Sequence, residues 1–227
     1  MSRKWMPPRA ALEEIASRFG TPVHIYDGQG MAENALRFLG AFSWNKGFRQ
    51  FFAVKATPTP AILELLHGLG MGMDCSSLAE LELCRRMGIP GSDIMFTSND
   101  TSAGEYRLAA GMGAVVNLDD SGHIDFLRET AGLPRLLCLR FNPGDPDTGN
   151  SIIGHPREAK FGMPCDQLLE AYRRLAGLGV ERFGLHTMIV SNELNPDAFT
   201  AVAEMMFRLA VRVRDETGVS VEFVNLG

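Results

Sequence analysis

Seven short apolar runs, beginning at residues 51, 72, 93, 114, 135, 183 and 221, alternate with stretches of helical spacing. The first five runs start 21 residues apart. Alternating strand and helix units build a parallel sheet, because each helix carries the chain back to the edge from which the next strand must start. Six full units plus a seventh strand suit an eight-fold barrel better than an open sheet. The expected fold is therefore α/β, a (β/α)8 TIM barrel formed by residues 46–227 and incomplete at about seven of its eight strands, since Gly227 comes straight after a strand. Residues 1–45 stand outside this rhythm, with helical spacing over 10–19 and 31–42 and a short strand expected over Thr21 to Tyr26.

The first run shows how each unit is bounded. Phe51-Phe52-Ala53-Val54 leads into Lys55, and Ala56-Thr57-Pro58-Thr59-Pro60 then breaks the strand before a helix expected from Pro60 to Leu69. A continuous apolar run between breakers reads as a strand buried on both faces. Lys55 then sits at the C-terminal end of its strand, the end where barrels build their sites. A lysine partly desolvated there keeps more free amine, able to form a Schiff base with an aldehyde. The plain alternative is a lysine that snorkels to water.

Later units are read in the same way. Helices are expected from Ser76 or Ser77 to Met87, from Ser102 to Ala110 with Gly111 as the stop, and over 123–129, 166–176 and 196–214. Ser77 and Glu80 have the spacing of a capping box, and Ser76 lies one position off it. Strands are expected at 72–75, 93–97, 114–118, 135–141, 183–189 and 221–226, with a long loop from Asn142 to about Phe161.

Composition removes several classes of function. A net charge of -5 gives no electrostatic case for nucleic acid or an anionic membrane surface. No apolar run approaches the ~20 residues of a membrane helix, and the charged N-terminus is not followed by the apolar core of a signal peptide. Cys75, Cys84, Cys138 and Cys165 are scattered without a C-x-x-C, so neither a zinc site nor a disulfide framework is expected. A reduced, cytoplasmic enzyme acting on a small molecule is the expectation.

The candidate residues lie at strand C-termini: Lys55, Asp74, Ser98 to Asp100, Asn117 to Asp120, Arg140 with Asn142, His186 to Ser191, and Asn225. The set lacks a carboxylate cage for a metal, a carboxylate pair suited to glycoside hydrolysis and a G-x-S-x-G elbow. A Schiff-base cofactor carrying a phosphate suits it better. Helix capping is the favoured reading for Asp100, Asp119 and Ser121, and a surface position for His123. Arg140 ends the apolar run Leu136-Leu137-Cys138-Leu139, so its charge needs an anionic partner.

These residues resemble the fold-type III pyridoxal-phosphate decarboxylases. Phe52-Ala53-Val54-Lys55-Ala56 resembles their Y-A-V-K-A segment, and Gly72 to Leu81 is similar to G-x-D-x-x-S-x-x-E-L. Leu139 to Gly144 matches L-R-x-N-P-G, Ala159 to Gly162 matches S-K-F-G, and Gly184 to Ser191 is similar to G-L-H-x-H-x-G-S. Phe223 to Gly227 resembles the start of L-G-G-G-F-G. Within the family the resemblance is to diaminopimelate decarboxylase and its relatives. It implies an alanine-racemase-like barrel and pyridoxal 5'-phosphate held by Lys55. Asp74 and Glu80 are then supports of the lysine and cofactor. Arg140 lies near the cofactor, His186 supports the strand end and Ser191 bonds the phosphate.

Two positions depart from that pattern. The family's second histidine, which stacks on the pyridine ring, falls on Met188, and the glycine before the serine falls on Val190. This resembles a divergent subgroup that includes decarboxylases of D-ornithine and D-lysine, alongside the meso-diaminopimelate reading. The resemblance also implies a C-terminal β-domain, absent here, with which residues 1–45 pair a strand, and a homodimer in the full-length protein. Without those parts the isolated chain is expected not to turn over. A racemase of the same fold, a non-catalytic cofactor- or partner-binding relative and a phosphate-binding barrel without a Schiff base are the competing readings.

Overall fold

The computed structural model describes residues 5–144, 161–190 and 193–227. Helices α1 (Arg9–Phe19) and α2 (Gly28–Ala41) precede β1 (Phe51–Ala53). Strand and helix then alternate: α3 (Pro60–Gly68), β2 (Gly72–Cys75), α4 (Leu78–Arg86), β3 (Ile94–Ser98), α5 (Ala103–Met112) and β4 (Val115–Leu118). The alternation continues with α6 (His123–Ala131), β5 (Leu136–Arg140), α7 (Cys165–Gly177), β6 (Arg182–His186), α8 (Pro196–Thr217) and β7 (Val221–Asn225). All seven strands are parallel and lie in one sheet in chain order. The sheet curls toward closure, because Asn225 Nδ2 at the end of β7 reaches Met95 Sδ on β3 at 3.0 Å.

The local chemistry explains the boundaries. Pro60 and Pro196 open α3 and α8, where a missing N–H costs nothing, and Asn195 caps the latter through Asp197 N. The helices turn Leu63, Leu81, Tyr106, Leu127, Tyr172 and Val213 onto a core shared with fully buried strand residues such as Met73, Val116, Leu137 and Leu185. The buried Tyr172 hydroxyl donates to Gly184 O at 2.8 Å, so this aromatic enters the core with its polar end satisfied. Gly184 is required for close approach: a Cβ there would lie 2.1 Å from the Phe223 ring of β7.

Four expectations are corrected. Thr21 to Tyr26 forms no strand, having no neighbouring strand to pair with among the described residues. β1 stops at Ala53, and Val54–Ala56 makes a 3-10 turn; as the sheet's edge, β1 is only half-buried. α5 runs through Gly111 and ends at Gly113, whose φ of 74° supplies the left-handed cap. β6 ends at His186, not at Ile189. Most of the loop expected over Asn142 to Phe161 lies outside the described residues. No helix among the described residues is long and apolar enough to cross a membrane.

Candidate functional site

Parallel register places the polar strand ends side by side. Ala53 pairs with Asp74, Thr97 with Asn117, and Arg140 with His186. Lys55 lies on the turn just beyond β1 and is exposed, so the described residues do not give it the desolvation expected from its sequence setting. Asp74 is the half-buried acid near it. Burial pushes its carboxyl up to about 6, while the Thr97 hydrogen bond and the Lys55 charge act in the opposite direction.

From Asp74 a hydrogen-bonded chain crosses the sheet. Thr97 Oγ1 donates to Asp74 Oδ1 at 3.1 Å. Asn117 Nδ2 approaches Thr97 Oγ1 at 3.5 Å and His186 Nδ1 at 2.7 Å. His186 is 5% exposed, and this burial, helped by the Arg140 charge, pushes its pKa down to about 3. The imidazole is therefore neutral near pH 7. Asn117 Oδ1 is buried with no partner among the described residues. An unmet buried acceptor costs about 1–3 kcal/mol, a cost that a bound donor group could relieve.

Arg140 has the anionic partner that its sequence setting demands, and the partner is Asp119. The two lie 2.9 Å apart with side chains 12% and 9% exposed, and the guanidinium also lies 5.3 Å from the centre of the Phe161 ring. The capping role expected for Asp119 is thus corrected. Its neighbour Asp120 accepts from Gly122 N, and α6 has no side-chain cap from Ser121. Asp100 does not cap α5 either; Ser102 does. His123 is half-buried rather than a free surface residue, with Nδ1 3.0 Å from the Tyr106 hydroxyl.

Both serines at the start of α4 engage Glu80. Ser77 Oγ accepts from Glu80 N at 3.4 Å, and the Glu80 carboxylate accepts from Ser76 N and from Ser77 Oγ, each at 2.9 Å. Glu80 therefore holds the turn that follows Asp74 and Cys75. At the end of β6, Thr187 donates through Oγ1 to Phe141 O, and Met188 is 45% exposed. Gly227 has φ +101°, and a Cβ there would lie 2.7 Å from Met188 Sδ. Ser191 lies outside the described residues.

The structure thus joins Asp74 and His186 through Thr97 and Asn117, with Lys55 and Arg140 close enough for their charges to act on Asp74. Thr97 is not among the candidate residues that the sequence singles out. Its signal was a hydroxyl at the end of the apolar run Ile94-Met95-Phe96.

The family described as pyridoxal-dependent decarboxylase, pyridoxal binding domain, matches residues 32–227. The chain belongs to the pyridoxal-dependent decarboxylases. Protein TabA of Pseudomonas amygdali pv. tabaci is 39% identical over 216 residues, covering 95% of this chain and 50% of TabA. A diaminopimelate decarboxylase of Thermoplasma acidophilum is 31% identical over 219 residues, covering 96% of this chain and 53% of the relative. The crystal structure of diaminopimelate decarboxylase from M. jannaschii superposes with a TM-score of 0.84 at 25% identity, covering 94% of this chain and 52% of that one. The chain spans about half the length of the curated relatives it matches.

The residues present fit the family's cofactor, pyridoxal phosphate. An aldehyde needs an accessible amine, and Lys55 is exposed at a strand end. A polar ring needs hydrogen-bonding groups beside it, and the Asp74 to His186 chain includes one unmet acceptor.

Proposed function

We propose that the protein carrying this chain decarboxylates a diamino acid, meso-diaminopimelate or D-ornithine or D-lysine, with Lys55 as the residue that binds pyridoxal phosphate. The observation that carries the reading is the accessible Lys55 amine near the half-buried Asp74 carboxyl, within the domain that the family uses for pyridoxal. When bound, the cofactor supplies an aldehyde and an electron-withdrawing ring.

The chain's own groups do the rest. Asp74, with its carboxyl near 6, holds negative charge at neutral pH near Lys55. Thr97 fixes Asp74 Oδ1. Arg140 is neutralised by Asp119, which suits an oriented donor better than a free anion receptor. Met188 offers a thioether surface to an aromatic face without a titrating group, and Ser191 is assigned to the phosphate. Met188 and Val190 are the departures that favour the D-ornithine or D-lysine alternative over meso-diaminopimelate.

Turnover is assigned to the whole protein, a cytoplasmic homodimer, rather than to these 227 residues alone. Residues 1–45 are assigned to packing against a further β-domain. Borohydride reduction of the protein with pyridoxal phosphate, followed by peptide mapping, should place a pyridoxyl group on Lys55 and not on the Lys55→Ala variant. Carbon dioxide release from D- and L-ornithine, D- and L-lysine and meso-diaminopimelate then names the substrate. An unmodified Lys55 peptide would overturn the reading.

A further inference from the structure

Four strands contribute to the chain Asp74, Thr97, Asn117 and His186, and its proton positions follow from one end. Asp74 Oδ1 is an acceptor, so Thr97 gives its single hydroxyl proton to Asp74 and turns lone pairs toward Asn117. The Asn117 group facing Thr97 is then the NH2, at a long 3.5 Å. The same nitrogen lies 2.7 Å from His186 Nδ1, and its second hydrogen points there. Turning the amide over would set its carbonyl against the lone pairs of Thr97. A donor aimed at Nδ1 requires a lone pair on Nδ1, and a neutral imidazole with that lone pair carries its proton on Nε2.

We propose that Asn117 is the positioning residue that fixes His186 as the neutral imidazole protonated on Nε2. The ring then offers a hydrogen-bond donor at Nε2, suited to a carboxylate or ring oxygen of a bound amino acid or cofactor and unsuited to an ammonium group. That use rests on the function proposed above; the tautomer does not. The charged groups acting on the chain are Lys55, Glu80 and Arg140 on Asp74, and Arg140 also on His186, with Arg140 itself held by Asp119. None of them supplies Nδ1 with an acceptor.

Nitrogen-15 NMR of the protein labelled in its histidine side chains tests this, with His186 assigned by its loss in His186→Gln. Above the Asp74 pKa of about 6, His186 should show a pyridine-type Nδ1 and a pyrrole-type Nε2. Asn117→Asp keeps the size of the side chain and replaces the donor by an acceptor, so His186 should gain a proton on Nδ1. A pyrrole-type Nδ1 in the unmodified protein, or an Asn117→Asp spectrum identical to it, overturns the proposal. If Asn117→Asp does not fold, the unmodified protein's spectrum still decides. The stated tautomer together with an unmodified Lys55 after borohydride would support this inference while sinking the cofactor reading.

Discussion

Asp74 and His186 put opposite pH dependences at the two ends of one hydrogen-bonded chain. The folded pKa of His186 is about 3 against an ordinary 6.5, so between those values the unfolded chain binds more protons and stability rises with pH. Asp74 is the reverse. Its folded pKa is about 6 against 3.8, so its contribution is full below 3.8 and is lost as pH rises through about 6. Relative to the unmodified protein, Asp74→Asn should therefore steepen the rise of stability with pH over this window, and His186→Gln should flatten or invert it. Urea midpoints across the window check this; parallel curves for the two variants would refute it. A second residue-scale expectation concerns the nearly buried pair of Arg140 and Asp119. Asp119→Asn leaves a guanidinium without its anion and should cost about 3 kcal/mol in a denaturation measurement, much of it recovered in Asp119→Asn/Arg140→Met. That Arg140 needed an anion was legible from the apolar run before it. That the anion was Asp119 was not, because short-range capping and long-range pairing compete for the same carboxylate, and only the β4 to β5 register decides between them. Thr97 and Asn117 meet across the β3 to β4 register, which follows the near-regular spacing of the runs, but the sequence did not show that their side chains would bond.

At the scale of elements, the breakers between the apolar runs made most strands and helices legible, and the failures lay where a boundary depends on a neighbour. Thr21 to Tyr26 has strand-like residues but no strand beside it. β6 stops at His186, because only as far as that residue does it pair with both β5 and β7. The N-termini of α4 and α5 show how adjacent units are tied together. Glu105 closes the capping box of α5 with Ser102, and its other carboxylate oxygen accepts from Leu78 N, the first residue of α4, at 3.0 Å. Ser102→Ala should cost about 1 kcal/mol, the usual value for a lost cap. Glu105→Ala should cost more, because it releases donors on two helices. Equal shifts of the urea midpoint would show that the link to α4 contributes nothing.

At the scale of the whole molecule, six strand and helix units and a seventh strand, all running in one direction, leave a curled parallel sheet as the economical arrangement, and the sheet order follows the chain throughout. Its two edges are poor templates for association: β1 has three residues, and β7 carries Glu222, paired with Arg182. Exposed apolar side chains lie along the N-terminal segment, at Trp5, Phe19, Leu36 and Trp44, and also on α8. Val202, Met206, Leu209 and Val213 bury one face of this helix, while Phe199, Phe207 and Val211 stay 47%, 57% and 49% exposed on another. Two exposed phenylalanines and a valine on one helix face form a patch that water covers poorly. The 227-residue chain is therefore expected to self-associate through α8 in a concentration-dependent way. Phe199→Ser/Phe207→Ser should shift it toward the monomer while leaving its urea midpoint unchanged, since neither ring belongs to the core. Light scattering over a dilution series separates the outcomes. A chain that is monomeric at every concentration, or a double variant that associates as strongly as its parent, would remove α8 as the contact face.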